Sequence, residues 1–147
     1  MTATTDTGHS GALQGAAAVA HILQHCRTVA VVGLSPKPHR DSYEVSQYMR
    51  AQGWRIVPIN PNATEILGEK AYPSLTAAAQ HTDFDLVNVF RNSEDVPPVV
   101  DEAIAIGAPA IWLQLGIVND AAMAKAHAAG LMTVQNKCLL VEHRRGS

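Results

Sequence analysis

The stretch Thr28-Val-Ala-Val-Val-Gly-Leu-Ser-Pro-Lys-Pro-His-Arg-Asp-Ser42 decides the fold. It opens with a short β-branched apolar run stopped by glycine, the pattern of a strand buried on both faces. The next seven residues hold two prolines, which keep their predecessors extended and exclude helix until about Ser42. Asp41 and Glu44, three apart, read as a capping box for a helix from about Ser42 to Gln52. A strand, a loop rich in proline and basic residues, and a helix therefore follow one another here, which is how an α/β unit begins.

Outward from this unit the same alternation repeats. Upstream, Leu13, Ala16, Ala17, Ala20 and Leu23 recur at helical spacing and predict a leading amphipathic helix. Downstream, residues 54–59, 84–90, 110–114 and 131–134 are apolar strand candidates. Helices are expected near residues 75–80, from Val96 to Ile106 with Gly107 as terminator, and from Asn119 or Asp120 to Gly130. The tail from residue 136 onward has no clear period, and residues 141–145 are polar enough to lie on the surface. Apolar strands alternating with helices indicate right-handed βαβ units. The expected fold class is α/β, a doubly wound, Rossmann-like parallel sheet of about five main strands with helices on both faces.

Composition sets the limits. A chain of 147 residues, 47% hydrophobic and 16% charged, suits one packed domain without a separate catalytic half. Residues 1–10 are rich in Thr, Ser and Gly and read as a disordered tail, leaving 11–147 as the domain. A formal net charge of −2 supplies no field to gather nucleic acid or anionic lipid, so an anion site has to be local. The apolar run Ala16 to Ala20 is too short to span a bilayer, and no basic leader precedes it. The two cysteines, Cys26 and Cys138, have no metal-ligand spacing and suit a reducing compartment. A cytoplasmic protein without nucleic-acid or membrane partners is expected.

Ligands of doubly wound sheets bind beyond the carboxyl ends of the strands. The loop after the first strand places Lys37, His39 and Arg40 beside a helix start, where free backbone N–H groups and the helix dipole favour an anion. Gly33 permits close backbone approach, and Ser35 and Ser42 carry hydroxyls able to donate to phosphate oxygens. The G-x-G-x-x-G dinucleotide fingerprint is absent, and Asn60-Pro61 occupies the place of the acidic residue that grips an NAD ribose. A phosphorylated ribose, as in NADP or coenzyme A, stays open.

Five collinear segments carry a family resemblance: residues 29–43, 57–61, 66–69 (Ile-Leu-Gly-Glu), 89–91 (Val-Phe-Arg) and 112–116 (Trp-Leu-Gln-Leu-Gly). Together they resemble the stand-alone CoA-binding-domain proteins, which are similar to the N-terminal CoA-binding domain of the succinyl-CoA synthetase alpha subunit. The resemblance implies that Gly33, Ser35, Pro36, Lys37, Arg40 and Ser42 contact phosphate, with His39 beside them. It further implies that Asn60 and Pro61 border the nucleoside, that Phe90 and Arg91 line its pocket, and that Gln114 to Gly116 complete the wall. The implied ligand is coenzyme A or an acyl-CoA, bound by a carrier, sensor or regulatory module.

Nothing in the chain completes a catalytic centre. The synthetase's catalytic histidine belongs to a second domain absent here, and His21 and His25, one helical turn apart, lack a third metal ligand nearby in sequence. Cys138 has no evident base. Two alternatives remain: a CoA-binding subunit whose ligase-like partner supplies catalysis, and an NADP-type nucleotide sensor. Self-association into a homo-oligomer is equally open.

Overall fold

The computed structural model describes residues 12–146. The tail expected over residues 1–10 lies outside the described residues. Seven strands and six helices follow in chain order: α1 (Gly15–His25), β1 (Thr28–Val32), α2 (Asp41–Ala51), β2 (Arg55–Ile59), β3 (Glu65–Ile66), β4 (Glu69–Lys70), α3 (Leu75–Ala79), β5 (Leu86–Val89), α4 (Val96–Ala105), β6 (Ala110–Leu113), α5 (Asp120–Ala128), β7 (Met132–Val134) and α6 (Leu139–Gly146). The main sheet has the order β2-β1-β5-β6-β7, with every pairing parallel. The doubly wound, Rossmann-like α/β fold expected from the sequence is the fold observed.

Strand alternation builds two cores. Ala30, Val32, Val57, Val87, Val89, Ile111 and Leu113 face α3, α4 and α5. Their neighbours Val29, Val31, Ile56, Leu86, Ala110 and Trp112 face α1, α2 and α6. Because both faces are covered, the strands are mostly apolar, with Asn88 and Thr133 the polar residues buried within them. Trp112 is fully buried, and its indole N–H donates to the Lys137 carbonyl at 2.8 Å, so burying this large ring leaves no polar atom stranded. Burial of such a ring stabilises the fold by about 2–3 kcal/mol.

Two local expectations change. The capping box does not form: Arg40 is the N-cap of α2 without a side-chain bond, and Asp41 and Glu44 simply occupy the first turn. The tail is helical, because α6 sets Leu139 into the core and packs against α1 and α2. Its His143 Nδ1 lies 2.9 Å from the Tyr48 hydroxyl, a tertiary contact that local periodicity does not encode. A short antiparallel hairpin, β3 with β4, turns through Leu67 and Gly68 at positive φ.

The chain starts at β1, steps outward to β2, then crosses back to β5, so the switch point lies between β1 and β5. There the backbones nearly touch. A Cβ built on Gly33 would stand 2.3 Å from the Phe90 carbonyl oxygen, and φ of +85° is itself unfavourable for any other residue. The Gly33 N–H donates to Ile59 O and the Phe90 N–H to Val32 O, fixing three strand ends together.

Cys26 ends α1 in the core, and burial pushes its thiol from 9.0 up to about 12, with negative Asp85 adding to the push and Arg27 opposing it. An acid that keeps its proton longer when folded supports the fold fully below its unfolded pKa and withdraws that support as pH climbs through the folded one.

Two outcomes follow for this scaffold. Urea unfolding should show stability falling between pH 9.0 and about 12, and the fall should be shallower in Cys26→Ala; equal slopes in both proteins contradict the assignment. Gly33→Ala should cost about 2–4 kcal/mol in the same assay, the sum of left-handed strain and forced displacement. Gly107→Ala, where φ is +73° but nothing lies within 4 Å, should cost only about 1–2 kcal/mol. Equal losses at the two glycines would refute the close-approach explanation.

Candidate functional site

The loop between β1 and α2 is shaped by its own side chains. Ser42, nearly buried, turns its Oγ inward to accept the Ser35 N–H at 3.0 Å. Ser35 Oγ accepts the Lys37 N–H at 3.1 Å. Leu34 is fully buried, and its carbonyl accepts from Asn60 Nδ2 at 2.9 Å. These bonds hold residues 35–40 at the rim of the sheet above the start of α2. The backbone N–H groups of Asp41 and Ser42 have no acceptor among the described residues, as expected for a helix start whose first amides face away from their own helix.

A cavity of about 1040 Å³ opens at this point, walled by the loops that follow β1, β5 and β6. Of the residues expected at a site, Gly33, Ser35, Lys37, His39, Arg40, Ser42, Phe90, Arg91 and Gly116 line it. Lys37, Arg40 and Arg91 form no ion pair within 4.0 Å among the described residues. Cations that neither pair nor cover apolar surface are free to meet an incoming anion.

Four expected residues lie elsewhere. Pro36 and Pro61 are exposed outside the cavity lining. Asn60 acts from below, its amide joining Leu34 O and its Oδ1 accepting the Asn62 N–H at 2.8 Å. Gln114 is buried, and its Oε1 accepts from Asn88 Nδ2 and from the Leu139 N–H, each at 3.3 Å, so it roots the start of α6. The two tyrosines of α2 also stay out of the lining, Tyr48 being engaged with His143.

The lining includes residues that sequence reasoning passed over, Asp41, Asn92, Ser93, Glu94, Asp95 and Ile117, and takes in Leu115 from the expected stretch Gln114 to Gly116. Extending each strand-end loop by four or five residues would have found them, since residues 91–95 and 115–117 directly follow β5 and β6. Ser93 joins the two loops, its Oγ accepting the Val118 N–H and its carbonyl accepting from Asn119 Nδ2, both at 3.0 Å. Charge is segregated by loop. The loop after β1 sets Lys37, Arg40 and His39 against Asp41, whereas the loop after β5 sets Arg91 against Glu94 and Asp95. The chemistry on offer is anion recognition at the β1 side, with no cluster of three or more His, Cys, Asp or Glu side chains able to hold a metal among the described residues.

Comparison with known proteins shows the family and the fold. A family model described as a CoA binding domain matches residues 27–144. The chain is 40% identical over 127 residues to the uncharacterized protein YneT of Bacillus subtilis (strain 168), covering 86% of this chain and 93% of that one. A hypothetical protein from Pyrococcus horikoshii OT3 superposes with a TM-score of 0.81 at 34% identity, covering 97% of this chain and 98% of that one. The dinucleotide-forming acetyl-coenzyme A synthetase 1 of Ca. Korarchaeum cryptofilum shares the fold, with a TM-score of 0.64 at 22% identity, over 75% of this chain and 26% of its own length. With its family model spanning the sheet from β1 to α6, this chain belongs to the CoA-binding-domain family.

Proposed function

We propose that the cavity at the switch point binds coenzyme A or an acyl-CoA, and that the protein acts as a carrier, sensor or regulatory module without catalysis of its own. The observation that carries this reading is the set of cations Lys37, Arg40 and Arg91, unpaired among the described residues, on one cavity wall with the start of α2, which has no side-chain cap. A phosphorylated adenosine with a pyrophosphate brings several negative oxygens, which suits guanidinium, ammonium and free amide donors together. The cavity volume of about 1040 Å³ exceeds what a phosphate alone needs. Membership of the CoA-binding-domain family supports the same ligand.

An unphosphorylated nicotinamide dinucleotide fits this site poorly, whereas the NADP-type alternative is separated from CoA by the NADPH arm of the experiment below. Binding an unphosphorylated NAD ribose calls for a free carboxylate at the end of β2. Asn60 stands there, and its amide is spent on Leu34 O and the Asn62 N–H. The catalytic alternatives would require groups on another chain, as in a ligase assembled from subunits.

Titration calorimetry with CoA, dephospho-CoA and NADPH at one fixed ionic strength tests the proposal. CoA should bind, and loss of its 3′-phosphate should weaken affinity about tenfold, the value of one charge-assisted hydrogen bond. Lys37→Ala and Arg40→Ala should each weaken CoA by a similar factor with little change in stability, since both side chains are exposed. Tighter binding of NADPH than of CoA, or no heat with CoA at all, would overturn it.

A further inference from the structure

We infer that the site is built for CoA carrying a neutral, apolar acyl group, with that group seated on the loop after β6; this rests on the CoA reading above and names the substrate class. Leu115 is 65% exposed and Val118 41% exposed, and they account for two of the four large apolar side chains exposed to this degree among the described residues. Single exposed apolar residues need no explanation, but these two fall within four consecutive residues, and Leu115 stands at the mouth of the cavity. Leu115 and Ile117 line the same cavity as the phosphate-facing loop.

This exposure is not a slack loop. Four successive N–H groups are each held by a different acceptor: Gly116 by Asn136 Oδ1 at 2.8 Å, and Ile117 by Gln114 O, Val118 by Ser93 Oγ and Asn119 by Gln135 Oε1, each at 3.0 Å. A loop so fastened cannot turn Leu115 inward to hide it. An apolar side chain fixed in water beside an anion site awaits an apolar partner, and continuity of the cavity makes that partner the other end of the same ligand.

Charge along the connecting wall gives the acyl group its sign. The loop after β5 begins against β1, where Phe90 O faces Gly33, and meets the loop after β6 at Ser93, which accepts the Val118 N–H. Arg91 therefore lies at the β1 end, while Glu94 and Asp95 follow the junction with the apolar loop. Neither acid is in an ion pair among the described residues. The strands β1 and β6 are two places apart in the sheet, roughly 10 Å, within the reach of one extended ligand. Phosphates fit the cationic end, a neutral aliphatic chain fits the other, and a dicarboxylic acyl group meets two like charges.

Calorimetry with free CoA, acetyl-CoA, hexanoyl-CoA and succinyl-CoA tests this on the intact protein. A methylene fully withdrawn from water is worth about fourfold in affinity, so hexanoyl-CoA, whose added carbons are partly covered, should bind at least about tenfold tighter than CoA. Succinyl-CoA should bind more weakly than acetyl-CoA, and Glu94→Gln with Asp95→Asn should remove that deficit. Leu115→Ser should lower hexanoyl-CoA affinity about fivefold more than it lowers CoA affinity. Equal affinities for CoA and hexanoyl-CoA, or a succinyl-CoA preference, would overturn the inference while leaving CoA binding intact. Failure of CoA and every thioester to bind would instead remove the reading beneath it.

Discussion

Gly33 and Phe90 meet where two halves of a parallel sheet diverge, and the site exists because their backbones approach so closely. No side chain fits between them, since a Cβ on Gly33 would lie 2.3 Å from the Phe90 carbonyl oxygen. With that contact made, hydrogen bonds from Gly33 to Ile59 and from Phe90 to Val32 align the ends of β2, β1 and β5. The loops that follow β1 and β5 must then leave the sheet side by side and part above it. The crevice between them is thus a consequence of strand order, and its lining is whatever those loops carry.

What they carry is sorted. Balanced charge over the cavity wall, three permanent cations against three carboxylates, would attract a polyanion poorly if the signs were mixed. Here the β1 loop presents the excess of base, reinforced by the amides of Asp41 and Ser42, and the carboxylates Glu94 and Asp95 follow Ser93, which bonds the loop after β6. Inner polar residues do the holding: Ser42, Ser35 and Asn60 spend their hydrogen bonds on the loop itself, which leaves the charged tips of Lys37 and Arg40 exposed. Preorganisation of this kind lowers the entropy lost on binding.

The sheet was readable in the sequence because each strand is an apolar run closed by glycine or turn residues, as at Thr28 to Gly33 and again from Phe84 to Phe90. The β1 loop was readable because its prolines exclude helix and its bases cluster. Residues whose roles depend on tertiary placement were not. Gln114 and Leu115 are adjacent just past the end of β6, yet one is buried and the other exposed, and assigning Gln114 to the wall followed resemblance rather than any local signal of burial. Asp41 reads as a cap but sits one residue too late, Arg40 having taken the N-cap. Helix α6 escaped notice because its packing partners, α1 and α2, lie far away in sequence, Tyr48 and His143 being 95 positions apart.

The central claim is that a phosphorylated adenosine rests on the start of α2 at the β1–β5 switch point, and amide chemical-shift mapping tests it most directly. On titration with CoA, the account predicts the largest shifts at the unbonded amides of Asp41 and Ser42, with further shifts at Lys37, Arg91 and Gly116. Shifts confined to the opposite edge of the sheet, around Gln14 and Thr133, would contradict it.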